Sequence, residues 1–166
     1  MIIGNSVTTI GEGAFYCIDN SGLTSLTIGN SVTTIGKGAF YRCRGLTTVT
    51  IPSSVTTIGD WAFSYCDLAN VTSLNMIPPQ IEINTFGNNA QNATLYVPIG
   101  CKTIYKSQTY WESFSNIVEI DVTNIQYTLT EKINEEKNKN YNLQGQRVLY
   151  PRNGIYIKNG KKVFIK

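Results

Sequence analysis

IGNSVTTIGEGAFYC at Ile3–Cys17, IGNSVTTIGKGAFYRC at Ile28–Cys43 and IPSSVTTIGDWAFSYC at Ile51–Cys66 stand in tandem. Ile3 to Ile28 is 25 residues and Ile28 to Ile51 is 23, and a further Ile-Pro start, at Ile77, follows 26 later. Self-similarity at this period is the signature of a solenoid, because one unit cannot bury its own apolar face and must stack on a neighbour. The first copy lacks a leading strand and has no cap before it. The chain therefore reads as the C-terminal fragment of a longer array, whose full number of repeats is open.

Each unit has a physical reading. In Gly45-Leu46-Thr47-Thr48-Val49-Thr50-Ile51-Pro52 the apolar Leu46, Val49 and Ile51 are separated by threonines, and the last residues alternate as in a half-buried strand. Thr48 and Thr50 are expected to face water. A turn at Pro52-Ser53-Ser54 leads to a second short strand, Val55–Ile58, with Val55 and Ile58 inward. Gly11, Gly36 and Gly59 share the next corner, which asks either for φ > 0 or for close packing between coils. Asp60–Cys66 places Ala62, Phe63 and Cys66 at helical spacing and reads as one helical or 3₁₀ turn. Equivalent residues of stacked coils lie about 4.8 Å apart, so Phe15, Phe40 and Phe63 are predicted to form an aromatic spine.

Composition narrows the chemistry. The 166 residues are 42% apolar and 15% charged, against an average of about 25% charged, so a core can form and a solvated polyelectrolyte is excluded. There is no histidine, which removes Ser-His-Asp triads, Cys-His pairs and histidine-ligated zinc. No phosphate-cradling, nucleophile-elbow or zinc-protease motif occurs. Glu135-Glu136 lie among lysine and asparagine with no apolar pocket to raise a pKa. The expectation is a non-enzyme without cofactors or metal. No run of about 18 apolar residues could span a membrane.

Cys17, Cys43 and Cys66 follow the spine phenylalanines at core positions of successive coils and read as buried free thiols. Cys101 has no evident mate. Arg42 and Arg44, with Tyr16, Tyr41 and Tyr65 on the same side of the coils, are the one basic and aromatic cluster in the repeats. Arginine and tyrosine are favoured in binding hot spots, so these five are candidate binding residues, together with the outward Thr48 and Thr50. Their competing role is amphipathic cover over a turn. Trp61 and Trp111 are expected to be packed.

Charge divides the chain. Residues 1–120 carry seven acids and five bases and are net −2, whereas 121–166 carry four acids and nine bases and are net +5. The basic lysines are spread between strands and turns, so a solvated face is favoured over a nucleic-acid site. Asn159-Gly160 between two apolar runs predicts a type I′ hairpin, and the polar run Glu131–Asn140 predicts a mobile loop.

The unit spelled by Leu46 through Cys66 resembles the BspA-like leucine-rich repeat family of bacterial surface proteins. Ala93–Gly100, followed by Tyr105, Trp111, Phe114 and Ile117–Ile120, resembles the closing cap of that family, with short helices at Lys102–Ser107 and Trp111–Phe114. Tyr141–Val148, Gly154–Ile157 and Gly160–Lys166 resemble a C-terminal sorting-type β-domain of exported proteins from Bacteroides relatives. The fold expected is mostly β: a leucine-rich-repeat solenoid with a helical cap over 1–120, and a small antiparallel β-domain over 121–166. The resemblance implies a monomeric, non-enzymatic, cell-surface or secreted module. Its partners would be host matrix proteins, cells or other bacterial surface proteins, with glycan as a further possibility and nucleic acid excluded. A structural stalk ending in an export tag is the competing reading.

Overall fold

The computed structural model describes residues 1–18, 22–123 and 125, together with the backbone of strands at 140–141, 147–148, 154–158 and 161–165. The chain divides into two compact units, Met1–Tyr127 and Thr128–Lys166.

The first unit is a solenoid of parallel strands. One side is formed by β1 (Ile2–Ile3), β3 (Thr27–Ile28), β5 (Thr48–Ile51), β7 (Asn70–Ser73), β8 (Thr94–Pro98) and β9 (Asn116–Ile120). β1 pairs with β3, and β5, β7, β8 and β9 form a second ladder, all in parallel. A second side carries β2 (Thr9–Ile10), β4 (Thr34–Ile35) and β6 (Thr57–Ile58), whose threonines and isoleucines are directly in register. Alternation explains the burial: Leu46, Val49, Ile51, Val55 and Ile58 are all buried, Thr48 is exposed and Thr50 half-buried. Thr33 and Thr56 each donate a hydroxyl hydrogen bond to the threonine carbonyl of the preceding coil, at 3.2 Å. The outer threonines thus tie coils together as well as covering them.

Coiling continues well past the three tandem copies, and with a different register from the one Ile77 suggests. Ser73 stands opposite Ile51, and Thr57 bridges to Gln80. Pro78–Ile81 is therefore the equivalent of Val55–Ile58. Ile77 is 75% exposed at a corner, where one extra residue is accommodated. The Ile-Pro dipeptide imitates the start of a repeat, but burial selects Ile81. In this fourth coil the aliphatic core position becomes the fully buried Ser73, whose Oγ lies 2.6 Å from the Tyr105 hydroxyl and accepts from Asn75 Nδ2 at 3.2 Å. The polar group remains satisfied, as burial demands. Beyond β8, α1 having spanned Asn89–Asn92, the chain runs through α2 (Lys102–Ser107) and the 3₁₀ turn Trp111–Ser113 to β9. Trp111 is fully buried and donates its indole N–H to Pro79 at 2.7 Å.

The phenylalanine spine is present and longer than the three copies. Phe15, Phe40, Phe63 and Phe86 stack at centroid distances of 5.4, 5.2 and 5.6 Å with planes 8–10° apart. Phe86 then meets Trp111 and Phe114.

Two sequence expectations are corrected and one open alternative is decided. The Asp60–Cys66 segment is a run of tight turns and not a helical turn, because Trp61 and Tyr65 adopt φ of 61° and 56°. Of the two alternatives for the corner glycines, packing holds for Gly36 and Gly59, where a Cβ would lie 2.7 or 2.6 Å from the backbone of the preceding coil. Cys17 and Cys43 are joined as a disulfide, with Cα atoms 5.2 Å apart, whereas Cys66 and Cys101 are free and buried. Coil stacking, which suggested isolated core thiols, is itself what brings successive cysteines into bonding range. Cys66 instead donates to the Phe40 carbonyl at 3.2 Å, and burial pushes its thiol up to about 12. One coil on, Asn89 Nδ2 donates to the Phe63 carbonyl at 3.0 Å, so an amide takes the place of the thiol.

In the second unit, β10 (Asn140–Tyr141), β11 (Arg147–Val148), β12 (Gly154–Lys158) and β13 (Lys161–Ile165) form an antiparallel sheet in the order β11-β10-β12-β13. Lys158 pairs with Lys161. Asn159-Gly160, expected to form a hairpin turn, and residues 131–139 of the polar run lie outside the described residues, while Asn140 opens β10.

Candidate functional site

The third side of the solenoid is the turn that carries the spine phenylalanine inward, with Tyr16 and Tyr41 after it facing outward and Ser64 buried. Backbone N–H groups tie each turn to the next, Phe40 to Ala62 O and Phe63 to Thr85 O, both at 2.8 Å, so outward residues also fall into columns. Tyr16 and Tyr41 stack at 5.4 Å with planes 16° apart. In the third coil this column holds Ser64, and in the fourth Gly87, where a Cβ would overlap Ser64 Oγ. The aromatic surface shifts sideways at that point. Trp61 and Tyr65 lie parallel within 6°, and both meet Tyr41 edge-on, at 5.8 and 5.3 Å. The Arg42 guanidinium lies 5.6 Å from the Tyr41 ring centre and 5.9 Å from that of Tyr65, in cation–π range.

Trp61 is the residue that sequence reasoning undervalued. Its column contains Gly13 at φ 60° and Gly38 at φ 59°, and Trp61 itself sits at 61°. A bulky residue at positive φ is strained. Comparing the three copies letter by letter carries the signal: glycine, glycine, tryptophan.

Two hollows flank the indole. One of about 280 Å³ is lined by Glu12, Tyr16, Lys37, Tyr41 and Trp61 over the glycines of the first two coils. The other, about 320 Å³, opens where the tyrosine column gives way to Ser64 and Gly87, and it is lined by Arg44, Trp61, Tyr65, Asp67, Asn84 and Asn88 among others. Of the candidates read from sequence, Tyr16, Tyr41, Arg42 and Tyr65 come together and Arg44 lines the second hollow. Thr48 and Thr50 belong to β5 and line neither. Asp67, Asn84 and Asn88 were not anticipated, because Asn84 and Asn88 come from the fourth coil, whose register the sequence disguised.

Among the described residues no group of three or more Cys, Asp or Glu side chains is placed to hold a metal ion, and no helix is long and apolar enough to cross a membrane.

Residues 8–144 match the family described as BspA type Leucine rich repeat region, in six copies. The chain belongs to this family. The matched range continues well past Cys66, so it takes in the degenerate coils that follow the three tandem copies. A BspA-type leucine-rich repeat solenoid is a protein-interaction scaffold. No curated protein matches the chain.

Proposed function

We propose that the chain is a non-enzymatic interaction module of a secreted or cell-surface protein, adhering to host matrix proteins or to cells through its aromatic and arginine face. The observation that carries this reading is the cluster of Tyr16, Tyr41, Arg42, Trp61 and Tyr65, with Tyr65 50% exposed. Tyr, Trp and Arg are the residue types that dominate binding energy at protein interfaces. An outward cluster of them on a threonine-covered solenoid supports a contact surface. The Cys17–Cys43 disulfide supports an oxidising compartment, where such bonds persist. The C-terminal antiparallel sheet is compatible with a sorting-type β-domain of exported proteins.

The test is binding of the full chain to immobilised matrix proteins and to whole cells, with Arg42→Ala and Tyr65→Ala as variants. Saturable binding that weakens at least about tenfold in the double variant is expected, which corresponds to about 1.4 kcal/mol. Absence of binding to any partner would favour a structural stalk, a reading to which the threonine hydroxyl ladder between coils gives some support.

A further inference from the structure

We infer that the hollow beside Trp61 is a saccharide site, taking a neutral pyranose ring with its C–H face on the aromatic wall and its hydroxyls on the surrounding amides and charges. The inference rests on the interaction reading above and names the chemistry recognised: glycan carried by the partner.

Three independent features converge on this hollow. The first is strain. Tryptophan replaces a left-handed glycine at 61, and strained backbone persists where the surroundings or a function maintain it. The turn asks for a left-handed residue here, as Gly13 and Gly38 of the sister coils show, but it does not ask for tryptophan. The second is the interruption of the tyrosine column. Ser64 and Gly87 leave a space of about 320 Å³ where a third and fourth tyrosine would have filled the surface. That volume is at the small end of ligand sites, which run from about 300 to 1,000 Å³. It suits one or two sugar rings and excludes a helix or strand.

The third feature is the polar lining. The side chains of Arg44, Asp67, Asn84 and Asn88 make no hydrogen bond or ion pair with one another or with other described residues. Guanidinium offers donors, carboxylate offers acceptors and each amide offers both. Vicinal hydroxyls, each at once donor and acceptor, are the ligand groups that use such a mixture. One positive and one negative side chain balance, so neither an anion nor a cation is favoured. An aromatic ring is negative on its face, and the polarised axial C–H bonds of a pyranose present the complementary surface. The apolar side chain of a peptide would leave the four polar groups unpaired, which disfavours it. The second hollow, with Tyr16 and Tyr41 across Trp61, gives a longer saccharide somewhere to extend.

The test uses the full chain and ligand-observed saturation-transfer NMR with the methyl pyranosides of glucose, galactose, mannose and N-acetylglucosamine, and with disaccharides built from them. Saturation transfer to ring C–H protons of at least one probe is expected, with affinity falling at least tenfold in Trp61→Gly and in Asp67→Ala. No transfer from any probe, or transfer unchanged in both variants, would overturn the assignment. Trp61→Gly restores the residue of the sister coils and Asp67 is exposed, so neither variant depends on rebuilding the core. A parallel arm compares an immobilised matrix glycoprotein before and after enzymatic deglycosylation. Binding lost on deglycosylation supports the saccharide site. Equal binding to both forms, without saccharide transfer, overturns the saccharide site and leaves the interaction reading standing. Saccharide transfer without glycoprotein binding does the reverse.

Discussion

Two aromatic columns run along the same side of the solenoid, one residue apart in sequence and opposite in behaviour. The inner column repeats phenylalanine in all four coils, Phe15 to Phe86, with nearly coplanar rings. The outer column begins as Tyr16 and Tyr41, then breaks into Ser64 and Gly87 while aromatic rings reappear beside it at Trp61 and Tyr65. An inner ring is bounded above and below by identical rings, so any other shape leaves a void or a clash. The outer position can lose its ring without breaking the inner stack. Variation there is open to selection for contact, and the third coil is where it has gone furthest.

The largest effect should come from the inner column. Phe63, fully buried between Phe40 and Phe86, should cost about 3–5 kcal/mol when changed to alanine, read by urea denaturation. Phe15, at 36% exposure and with one stacking partner, should cost less than half as much. Equal losses would mean that stacking does not set the energetics of the column.

Reducing the Cys17–Cys43 bond, which closes a separation of 26 residues, should destabilise the solenoid by about 3 kcal/mol. Thiol titration of the unfolded, unreduced chain should find only Cys66 and Cys101. Four reactive thiols would remove the bond from the account.

The outer column should matter less. Tyr65→Ala should lower stability by about 1 kcal/mol or less, since half of the side chain is already in water. A loss as large as that of Phe63→Ala would erase the distinction between the columns. Cys66 sharpens the comparison from the inside. Its thiol is raised from 9.0 to about 12 by desolvation, so the folded state holds a proton that the unfolded chain releases first. Its contribution should be constant below pH 9 and decline between 9 and 12. Cys66→Ala should show a shallower alkaline decline than the parent.

What the sequence makes legible follows from these constraints. Strand alternation around Val49 and Ile51, the inward Val55 and Ile58 and the phenylalanine spine all follow from periodicity, whereas the helix at Lys102–Ser107 was implied by the resemblance to the family's closing cap. The fourth coil does not, because Ser73 and Asn89 replace an isoleucine and a cysteine by hydrogen bonding instead of by apolar matching, and Ile77-Pro78 offers a false register. The disulfide was hidden by an argument about core position that ignored the distance between coils. At the candidate site, Tyr16, Tyr41, Arg42 and Tyr65 were legible as side chains of one turn. Asn84 and Asn88 were not, since they reach the hollow only through the corrected register. Trp61 was visible as a tryptophan, but its left-handed backbone was not.

The central claim is that Trp61 is maintained for contact and Phe63 for the fold, and Trp61→Gly tests it most directly when denaturation and ligand binding are read on the same sample. The account predicts stability equal to the parent or higher by about 1 kcal/mol, as strain at φ 61° is released, together with loss of binding. A fall in stability comparable to that of Phe63→Ala, or binding that survives the change, would contradict it.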